Sequence, residues 1–453
     1  MSMFRLPRRD SDRVGRLPAF SVPATSISVL ETPDSFRCEL INMIRSASRR
    51  IYITALYLQD DECGRMILDE LYKRAQECPS LKIYILVDFH RAQRGLMGKG
   101  KQCGNNVMYR QYMLKYPDAK ISFLGVPVKT KEVFGVLHLK GFIFDDTVFY
   151  SGASINNVYL GYEGKYRLDR YQKIESPELA GCMTAYLLNF IISSPAVTDL
   201  TQETIPTAKE IGDKIGKFKR LLKRSSYDIA PMQRGDGCLA VTPLCGLGNG
   251  LNRLNRTIIS LMRMTKKKIV ICTPYFNMPA SVSRTVTNLL ERGVETTLII
   301  GDKVANDFYI PEDQPFNRVA AVPYLYEGFI REFCRKHQAY IDSRQLNVMM
   351  WKDGSNTYHV KGIYIDDTCY LLTGNNLNPR AWRLDIENGI VLQDPQRLMK
   401  DKFEHEINYI LDHTTRISHW TEIEKFDDFP ERVKNYMKKI MRLKLHMLIK
   451  RII

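Results

Sequence analysis

The sequence predicts an α/β protein of two repeated halves, each with a mixed β-sheet flanked by helices, followed by a basic helical extension. Three observations support this prediction. The segments 138–146 (HLKGFIFDD) and 359–367 (HVKGIYIDD) nearly coincide, and each is followed by a turn rich in glycine and asparagine. Flanking blocks recur at nearly the same spacing. Short apolar strands alternate with amphipathic helices in both halves.

The flanking blocks extend the repeat through most of the chain. Residues 49–58 (RRIYITALYL) resemble 267–276 (KKIVICTPYF), and 166–174 (YRLDRYQKI) resemble 382–390 (WRLDIENGI). The domains that follow from this repeat are a basic N-terminal segment (1–35), a first domain (36–195), a linker with a basic amphipathic helix (196–240), a second domain (241–415) and a C-terminal basic amphipathic helical region (416–453).

Hydrophobic periodicity predicts the elements in the same order in both halves. These elements are a strand at 51–58, a helix at 64–77 and a strand at 81–88, then a strand at 268–273, a helix at 280–292 and a strand at 295–301. The uncharged stretch 179–198 is too short and too polar for a membrane span, because it contains Asn189 and Pro195. We expect a buried helix there that ends before the proline.

Composition and charge narrow the classes of protein. With 44% hydrophobic and 26% charged residues, the 453-residue chain is typical of globular proteins. Its ten cysteines show no CxxC spacing, which disfavours zinc and thioredoxin-like sites and fits reduced cytosolic thiols. The N-terminal arginines precede no apolar stretch of a signal peptide. The net charge of +16 indicates an anionic partner: nucleic acid, a phosphorylated substrate or an anionic membrane.

The repeated pattern His-x-Lys-(x)4-Asp carries the residue types of phosphoryl transfer. His138 and His359 can act as nucleophile or general acid near neutral pH. Lys140 and Lys361 follow two residues later on the same strand face, where an ammonium can stabilise charge on a pentacoordinate phosphorus. One histidine would attack phosphorus and the other would protonate the leaving group. Because two lysines supply the positive charge, we expect no metal or other cofactor.

The paired motifs resemble the HKD motifs of the phospholipase D superfamily, over roughly residues 36–415. Within it the chain is most similar to the proteobacterial phosphatidylserine synthases, through VDFHRAQRG (87–95), GDKVANDFYIPED (301–313) and TGNNLNPRAWRLDIEN (373–388). The resemblance implies two phospholipase D-like α/β domains. It also implies transfer of a phosphatidyl group from CDP-diacylglycerol to L-serine, with release of CMP and a phosphatidyl-histidine intermediate.

The resemblance assigns roles to individual residues. It makes His138 the nucleophile and His359 the acid and then the base. The other catalytic residues that it implies are the clamping lysines Lys140 and Lys361, the motif aspartates Asp145 and Asp366, the amide Asn376, and Glu387, which orients a histidine. Tyr171 aligns with Glu387, so Asp169 is the expected carboxylate of the first half. Ser154 stands opposite Asn376, and Asn156 is its candidate substitute.

Further residues are candidates for substrate binding. Arg91 and Arg94 could hold a pyrophosphate, although structural ion pairs fit them equally well. Residues that follow strand ends should border the site and contact cytidine or serine; they are Tyr57, Tyr275, Asn277, Asn306 and Asp307.

Two basic amphipathic segments, 208–224 and 431–453, are candidates for membrane binding. Each could instead dock its apolar face on the protein and leave its lysines in solvent. The basic side chains that the membrane hypothesis uses are Lys217, Lys219, Arg220, Lys438, Lys439, Arg442 and Lys444. We expect a peripheral protein on the cytoplasmic face of the inner membrane, in contact with anionic phospholipid.

Other activities of the same superfamily remain alternatives: nuclease, cardiolipin synthase and phospholipase D. Aromatic and basic residues interleave at 108–116, as in readers of nucleic acid, but a helical face explains them equally well. We therefore expect no specific nucleic-acid partner. The usual bacterial cardiolipin synthase has N-terminal membrane spans, which this sequence does not predict.

Overall fold

The computed structural model describes residues 7–95, 103–230 and 233–442. Its strands are β1 Phe20–Pro23, β2 Ile27–Leu30, β3 Arg50–Thr54, β4 Lys82–Asp88, β5 Ile121–Val126, β6 Leu137–His138, β7 Gly141–Phe144, β8 Thr147–Ser151, β9 Arg167–Leu168, β10 Tyr171–Glu175, β11 Thr198–Asp199, β12 Cys238–Leu247, β13 Lys268–Thr273, β14 Glu295–Gly301, β15 Leu346–Trp351, β16 Thr357–Tyr358, β17 Gly362–Ile365, β18 Cys369–Thr373, β19 Ile386–Gln393 and β20 Thr414–Ile417.

The helices connect and cover these strands. They are α1 Pro7–Gly15, α2 Pro33–Ser46, α3 Glu62–Glu77, α4 Phe89–Ala92, α5 Asn105–Lys115, α6 Pro177–Tyr186, α7 Gly212–Leu222, α8 Arg253–Met264, α9 Ala280–Glu291, α10 Val322–Lys336, α11 Gln338–Asp342, α12 Pro379–Arg383, α13 Lys400–Leu411 and α14 Glu431–Arg442. The six elements expected from periodicity are present; the first strand ends at Thr54, four residues earlier than expected, and the bounds of the others differ from the expected ones by two residues at most.

The first half folds around a sheet that, in the described residues, has eight strands in the order β11-β5-β4-β3-β7-β8-β10-β2. Strands β3, β4 and β5 are parallel, and the others pair antiparallel. Helices α2, α3 and α5 bury Phe36, Leu68 and Tyr109 in one apolar core against this sheet. The mixed sheet expected from the sequence is confirmed.

The second half repeats this arrangement. Its described strands follow the order β1-β12-β19-β18-β17-β13-β14-β15-β20, and β6 adds to β19. The parallel strands β13, β14 and β15 correspond to β3, β4 and β5, and the antiparallel strands β17 and β18 correspond to β7 and β8. The two halves are therefore two copies of one α/β unit, as the sequence repeat predicts.

The N-terminal segment joins both sheets rather than forming a separate unit. Strand β1 pairs with β12 in the second half, and β2 pairs with β10 in the first. The Val14 side chain of α1 belongs to the core of the second half, and Asp10 accepts a hydrogen bond from Ser260. The expected linker also takes part in the fold, because β11 extends the first sheet along β5.

The uncharged stretch 179–198 lies inside the fold, as expected. Helix α6 continues into a π-helical turn, Leu187–Ile192, and ends before Pro195. Leu179, Met183 and Ile191 are buried in the core that the halves share. Across the described ranges, no helix combines the length and hydrophobicity needed to cross a bilayer.

Both basic amphipathic helices dock on the protein. On α7, Ile215, Phe218 and Leu222 are buried in the shared core. On α14, Val433 and Met437 pack against Tyr324 and Phe429. The expectation that these apolar faces contact a membrane is therefore wrong for the described residues, because each face is covered by protein. The exposed basic side chains are Lys217, Arg220, Lys438, Lys439 and Arg442, with Lys219 half-buried, and Lys444 lies outside the described residues.

Candidate active site

Strand pairing across the two halves brings the two repeated motifs together. Strand β6 leaves the first half and pairs in parallel with β19, so that His138 lies beside Glu387. At the corresponding place in the second half, β16 pairs with β9 of the first half, and the backbone N–H of His359 donates to the Leu168 carbonyl at 2.8 Å. Each histidine therefore sits next to a strand of the other half.

Each histidine binds a carboxylate of the opposite half through Nδ1. The distance is 2.9 Å from His138 Nδ1 to Glu387 Oε2, and 2.8 Å from His359 Nδ1 to Asp169 Oδ2. Both carboxylates are buried. An ionised carboxylate in this position fixes the tautomer in which Nδ1 carries the proton and Nε2 carries the lone pair. Burial alone would raise the pKa of Asp169, but the charge of Lys361 and the hydrogen bond from His359 lower it to about 2, whereas burial raises the pKa of Glu387 well above its ordinary value. The structure thus places Glu387 and Asp169 where the sequence expected histidine-orienting residues.

Burial keeps both imidazoles neutral. Loss of solvent and the positive charge of Lys140 place the pKa of His138 well below its ordinary value. Burial and the charge of Lys361 lower the pKa of His359 to about 3. At neutral pH the unliganded site therefore holds two neutral imidazoles, each able to attack an electrophile or accept a proton through Nε2.

The two lysines are buried beside the histidines. Lys361 Nζ lies 2.8 Å from Asp169 Oδ2, and Lys140 Nζ lies 3.2 Å from Ser154 Oγ. Burial lowers the pKa of Lys140 to about 7 and that of Lys361 to about 8, and repulsion from Lys361 adds to the effect on Lys140. Two buried ammonium groups in one site favour the binding of an anion such as a phosphate, which would raise the pKa of both lysines.

Two glycines leave the space that these lysine side chains occupy. A Cβ atom added to Gly152 would lie 2.6 Å from Lys361 Nζ and 2.8 Å from the Asp169 carboxylate oxygens. A Cβ atom at Gly374 would lie 2.7 Å from Lys140 Cγ. Each glycine thus contacts the lysine of the opposite half.

Comparison with known proteins identifies the family. A family model described as "Cardiolipin synthase, PLD-like domain" matches residues 258–411. A CDP-diacylglycerol--serine O-phosphatidyltransferase of Haemophilus influenzae is 46% identical over 449 residues, covering 98% of this chain and 99% of that protein. One of Escherichia coli is 41% identical over 445 residues, covering 98% of each. The crystal structure of phosphatidylserine synthase from Haemophilus influenzae superposes with a TM-score of 0.95 and covers 99% of this chain and 100% of that one.

The chain belongs to the phosphatidylserine synthases of the phospholipase D superfamily. The family resemblance seen in the paired motifs is confirmed, and so are the two phospholipase D-like α/β halves.

Buried polar residues that sequence reasoning missed hold β6 in place. The Asn388 amide binds both backbone groups of Lys140, each at 2.8 Å. The backbone N–H of Leu137 donates to Asp88, and that of Val136 donates to Asp385, each at 2.9 Å. Polar residues within predicted buried strands were the available signal, because a buried polar group requires a partner.

The motif aspartates have a structural role, which corrects the catalytic role expected for them. Asp145 accepts the backbone N–H groups of Ser48, Arg49 and Arg50 at 2.8–2.9 Å. Asp366 accepts those of residues 266–268 at 2.8–3.0 Å. Both aspartates have positive φ, of 48° and 51°. Each therefore ties a strand-connecting turn to the start of a neighbouring strand, and other carboxylates serve the histidines.

The amide candidates occupy different positions. Asn376 Oδ1 is buried and has no partner among the described residues, so this side chain is available to substrate. Asn156 donates towards the Tyr57 hydroxyl at 3.4 Å and accepts the Tyr159 N–H at 3.1 Å. Asn306 accepts the backbone N–H of Phe308 and holds its own loop.

The remaining substrate candidates divide between the site and the scaffold. Arg94 forms a forked pair with Glu132 at 2.6 Å, so a structural role is favoured for it over pyrophosphate binding. Arg91 lies over the Tyr57 ring, 4.8 Å from its centroid. Tyr275 lies beside the His359 ring and donates to Asp307 at 2.8 Å. Asn277 is buried, and its backbone N–H donates to the Tyr275 carbonyl.

Proposed function

We propose that this chain makes phosphatidylserine and CMP from CDP-diacylglycerol and L-serine through a phosphatidyl-histidine intermediate. The observation that carries the proposal is the pair of neutral histidines, each bound at Nδ1 by a carboxyl group of the other half and accompanied by a buried lysine. The relatives that share 46% and 41% identity bear the name of this activity.

In the first step, His138 Nε2 attacks the phosphorus of the phosphatidyl group. The N–P bond forms, the P–O bond to the CMP phosphate breaks, and its electron pair leaves with CMP. A phosphate has a second pKa of about 6, so CMP leaves as an anion without needing a proton. His359, which was expected to protonate the leaving group, is neutral, so we assign it no acid role in this step. Lys140 and Lys361 offset the charge that develops on the phosphoryl oxygens.

In the second step, His359 acts as a base. Its Nε2 takes the proton of the serine hydroxyl, the serine oxygen attacks phosphorus, and the N–P bond breaks to restore His138. Asp169 stabilises the imidazolium that forms on His359, as a carboxylate does at Nδ1 in other histidine bases. The same centre thus serves both half-reactions, with the histidines in unequal roles.

Trapping of the intermediate tests the proposal. The purified chain, with lipid-labelled CDP-diacylglycerol in detergent micelles, should release CMP and retain acid-labile label after a rapid quench. His138→Ala should abolish the label, whereas His359→Ala should still acquire it and fail to pass it to serine. Label that persists in His138→Ala and vanishes in His359→Ala would reverse the two roles, and full activity of both variants would reject the site.

We further propose that the chain docks on anionic membranes through a basic rim, defined by Lys129, Lys219, Arg220, Lys223 and Arg224. Burial and the charges of the neighbouring Lys219 and Lys223 lower the pKa of Lys129 to about 8. Arg220, Lys223 and Arg224 surround a surface hollow next to Leu251. Clustered cations of this kind complement an anionic lipid surface.

Exposed apolar side chains flank this rim. Phe134 and Val133 are 51% and 46% exposed, and they precede His138 by only a few residues. Leu221 and Leu251 are 41% and 64% exposed, and Leu251 lines the hollow beside Arg220. Basic and apolar groups combined in this way are typical of peripheral membrane proteins. This surface replaces the two amphipathic faces as the proposed contact with the cytoplasmic face of the inner membrane.

A further inference from the structure

Beside His359, an arginine and an aspartate face each other among tyrosines. Arg167 and Asp307 lie 3.6 Å apart, from Nη1 to Oδ2, and their side chains are 14% and 21% exposed. We call this group, with Tyr159 and Tyr275, the tyrosine cluster. The Arg167 guanidinium lies over the Tyr159 ring, 5.0 Å from its centroid.

The cluster adjoins the base of the second step. The Tyr159 hydroxyl lies 2.9 Å from His359 Nδ1. The Tyr275 ring centroid is 6.1 Å from that of His359, and the Tyr275 hydroxyl donates to Asp307 Oδ1 at 2.8 Å. Tyr275 therefore spans from the histidine to the aspartate. A small molecule held between Arg167 and Asp307 would have its neighbouring atoms within reach of His359.

The ion pair in the cluster is open. Charge-assisted N–H···O contacts measure about 2.7–2.9 Å, well below the distance between Arg167 and Asp307. Arg170 shows the closed form nearby, because it binds Glu406 through two contacts of 2.8 and 2.9 Å. The Nε–H of Arg167 donates to the Thr357 hydroxyl, so N–H groups of its two terminal nitrogens are available to bind another anion.

From this geometry we infer that Asp307 binds the α-ammonium group and Arg167 the α-carboxylate of the serine acceptor, with the hydroxyl directed to His359. The inference rests on the proposed function. An α-amino acid carries both charges on one carbon atom, which matches a cation and an anion separated by a few ångströms. The tyrosine faces beside Asp307 add attraction for an ammonium group.

Acceptor specificity follows from these contacts. Ethanolamine has the ammonium and hydroxyl groups of serine but lacks the carboxylate that Arg167 would bind. Glycerol has the hydroxyl group alone. A charged hydrogen bond lost from such a site weakens binding by about tenfold to a hundredfold. The enzyme should therefore prefer serine to ethanolamine by this factor, and ethanolamine to glycerol by a similar one.

The test uses the full-length chain with CDP-diacylglycerol in detergent micelles and compares two reactions. The first is exchange of labelled CMP into CDP-diacylglycerol without serine, which reports folding and the first half-reaction. The second is transfer to serine, ethanolamine and glycerol. Asp307→Asn should raise KM for serine and for ethanolamine tenfold or more and leave glycerol transfer close to wild type. Arg167→Gln should raise KM for serine alone. The exposed Asp313→Asn on the same loop is the matched control.

The outcomes separate the inference from the proposed function. A wild-type chain that neither exchanges CMP nor transfers to serine would reject the function itself. Normal exchange with an unchanged KM for serine in Asp307→Asn would overturn the inference alone. A parallel loss of exchange and transfer would also overturn it, because it would assign the cluster to the nucleotide or the lipid donor.

Discussion

Glu387, from the second half, lies 2.9 Å from Nδ1 of His138, from the first half. The relationship depends on β6 and β19 pairing in parallel with these two residues in register. Asp169 has the same relationship to His359 in the opposite direction. Neither half therefore contains a complete histidine–carboxylate pair, so the active site exists only when both halves are assembled.

Replacement of Glu387 should slow the first half-reaction. Glu387→Gln keeps the size of the side chain but no longer holds His138 in the tautomer that presents a lone pair on Nε2. We expect kcat for CMP exchange to fall between about a hundredfold and ten-thousandfold. Glu404→Gln, on the exposed face of α13, should be indistinguishable from wild type. An active Glu387→Gln variant would separate this carboxylate from catalysis.

The two glycines that lie against the lysines give a second prediction. Gly152→Ala and Gly374→Ala should each displace a lysine, because the new methyl group would lie 2.6–2.7 Å from an atom of Lys361 or Lys140. A displacement near 1 Å costs about a hundredfold in rate. Gly328→Ala, on α10 with no atom near the new methyl group, should keep full activity and gain about 0.5–1 kcal/mol of stability. A wild-type kcat/KM in both Gly152→Ala and Gly374→Ala would contradict this close contact between glycine and lysine.

The repeat explains why so much of the fold and the site followed from the sequence. Two copies of a motif with fixed spacing define the strands, the histidines and the lysines together, and the alignment of Tyr171 with Glu387 pointed to Asp169 as the substitute carboxylate. These inferences depend on local pattern and on symmetry between the halves, both of which a sequence carries.

The errors came from contacts that neither pattern nor symmetry contains. The apolar faces of α7 and α14 are as amphipathic as membrane helices, and only tertiary packing shows that Phe218 and Met437 are covered by protein. Asp145 lies in the repeated motif, but its partners are backbone groups of residues 48–50. Arg167 and Asp307 are far apart in sequence, so their pairing is visible only in the fold.

The lysine pKa values predict how phosphate binding depends on pH. Lys140 and Lys361 lose their protons near pH 7 and 8 in the free enzyme, and a phosphate ligand binds the protonated forms. The affinity for CMP should therefore be greatest below pH 7 and fall as pH rises through 7 to 9, with proton uptake on binding. The second ionisation of CMP, near pH 6, is complete in that range. Calorimetry in buffers of different ionisation enthalpy measures both quantities; a Kd that is constant up to pH 9 would contradict the assignment.

The motif aspartates should matter for stability more than for chemistry. Backbone N–H donors outweigh burial and lower the pKa of Asp145. Its stabilisation is therefore present above the unfolded pKa of about 4 and is lost as pH falls through the folded value. Asp145→Asn should cost about 1–3 kcal/mol at pH 7. The cost should shrink in acid, while kcat at 25 °C stays within a few-fold of wild type.

Thermal unfolding of Asp145→Asn from pH 3 to 7, with the exposed Asp118→Asn as control, measures this effect. A kcat loss comparable to that of the histidine variants, in a variant of unchanged melting temperature, would restore the catalytic role that the motif suggested for Asp145.

The basic rim predicts where membrane binding can be abolished without disturbing the fold. Each basic side chain near an anionic leaflet contributes about 1 kcal/mol, so reversal of Lys219 and Lys223 to glutamate should reduce flotation on anionic vesicles by about tenfold or more. Phe134→Ser should weaken binding further, because it removes a half-exposed apolar ring that would contact the lipid surface close to the active site.

Reversal of Lys438 and Lys439, exposed on the docked helix α14, is the matched control, since it changes the net charge equally. The rim is the contact if only the first pair reduces flotation and if high salt removes the difference. Equal losses from both pairs would mean that net charge alone drives binding, and a loss confined to the α14 pair would move the contact to the C-terminal helix.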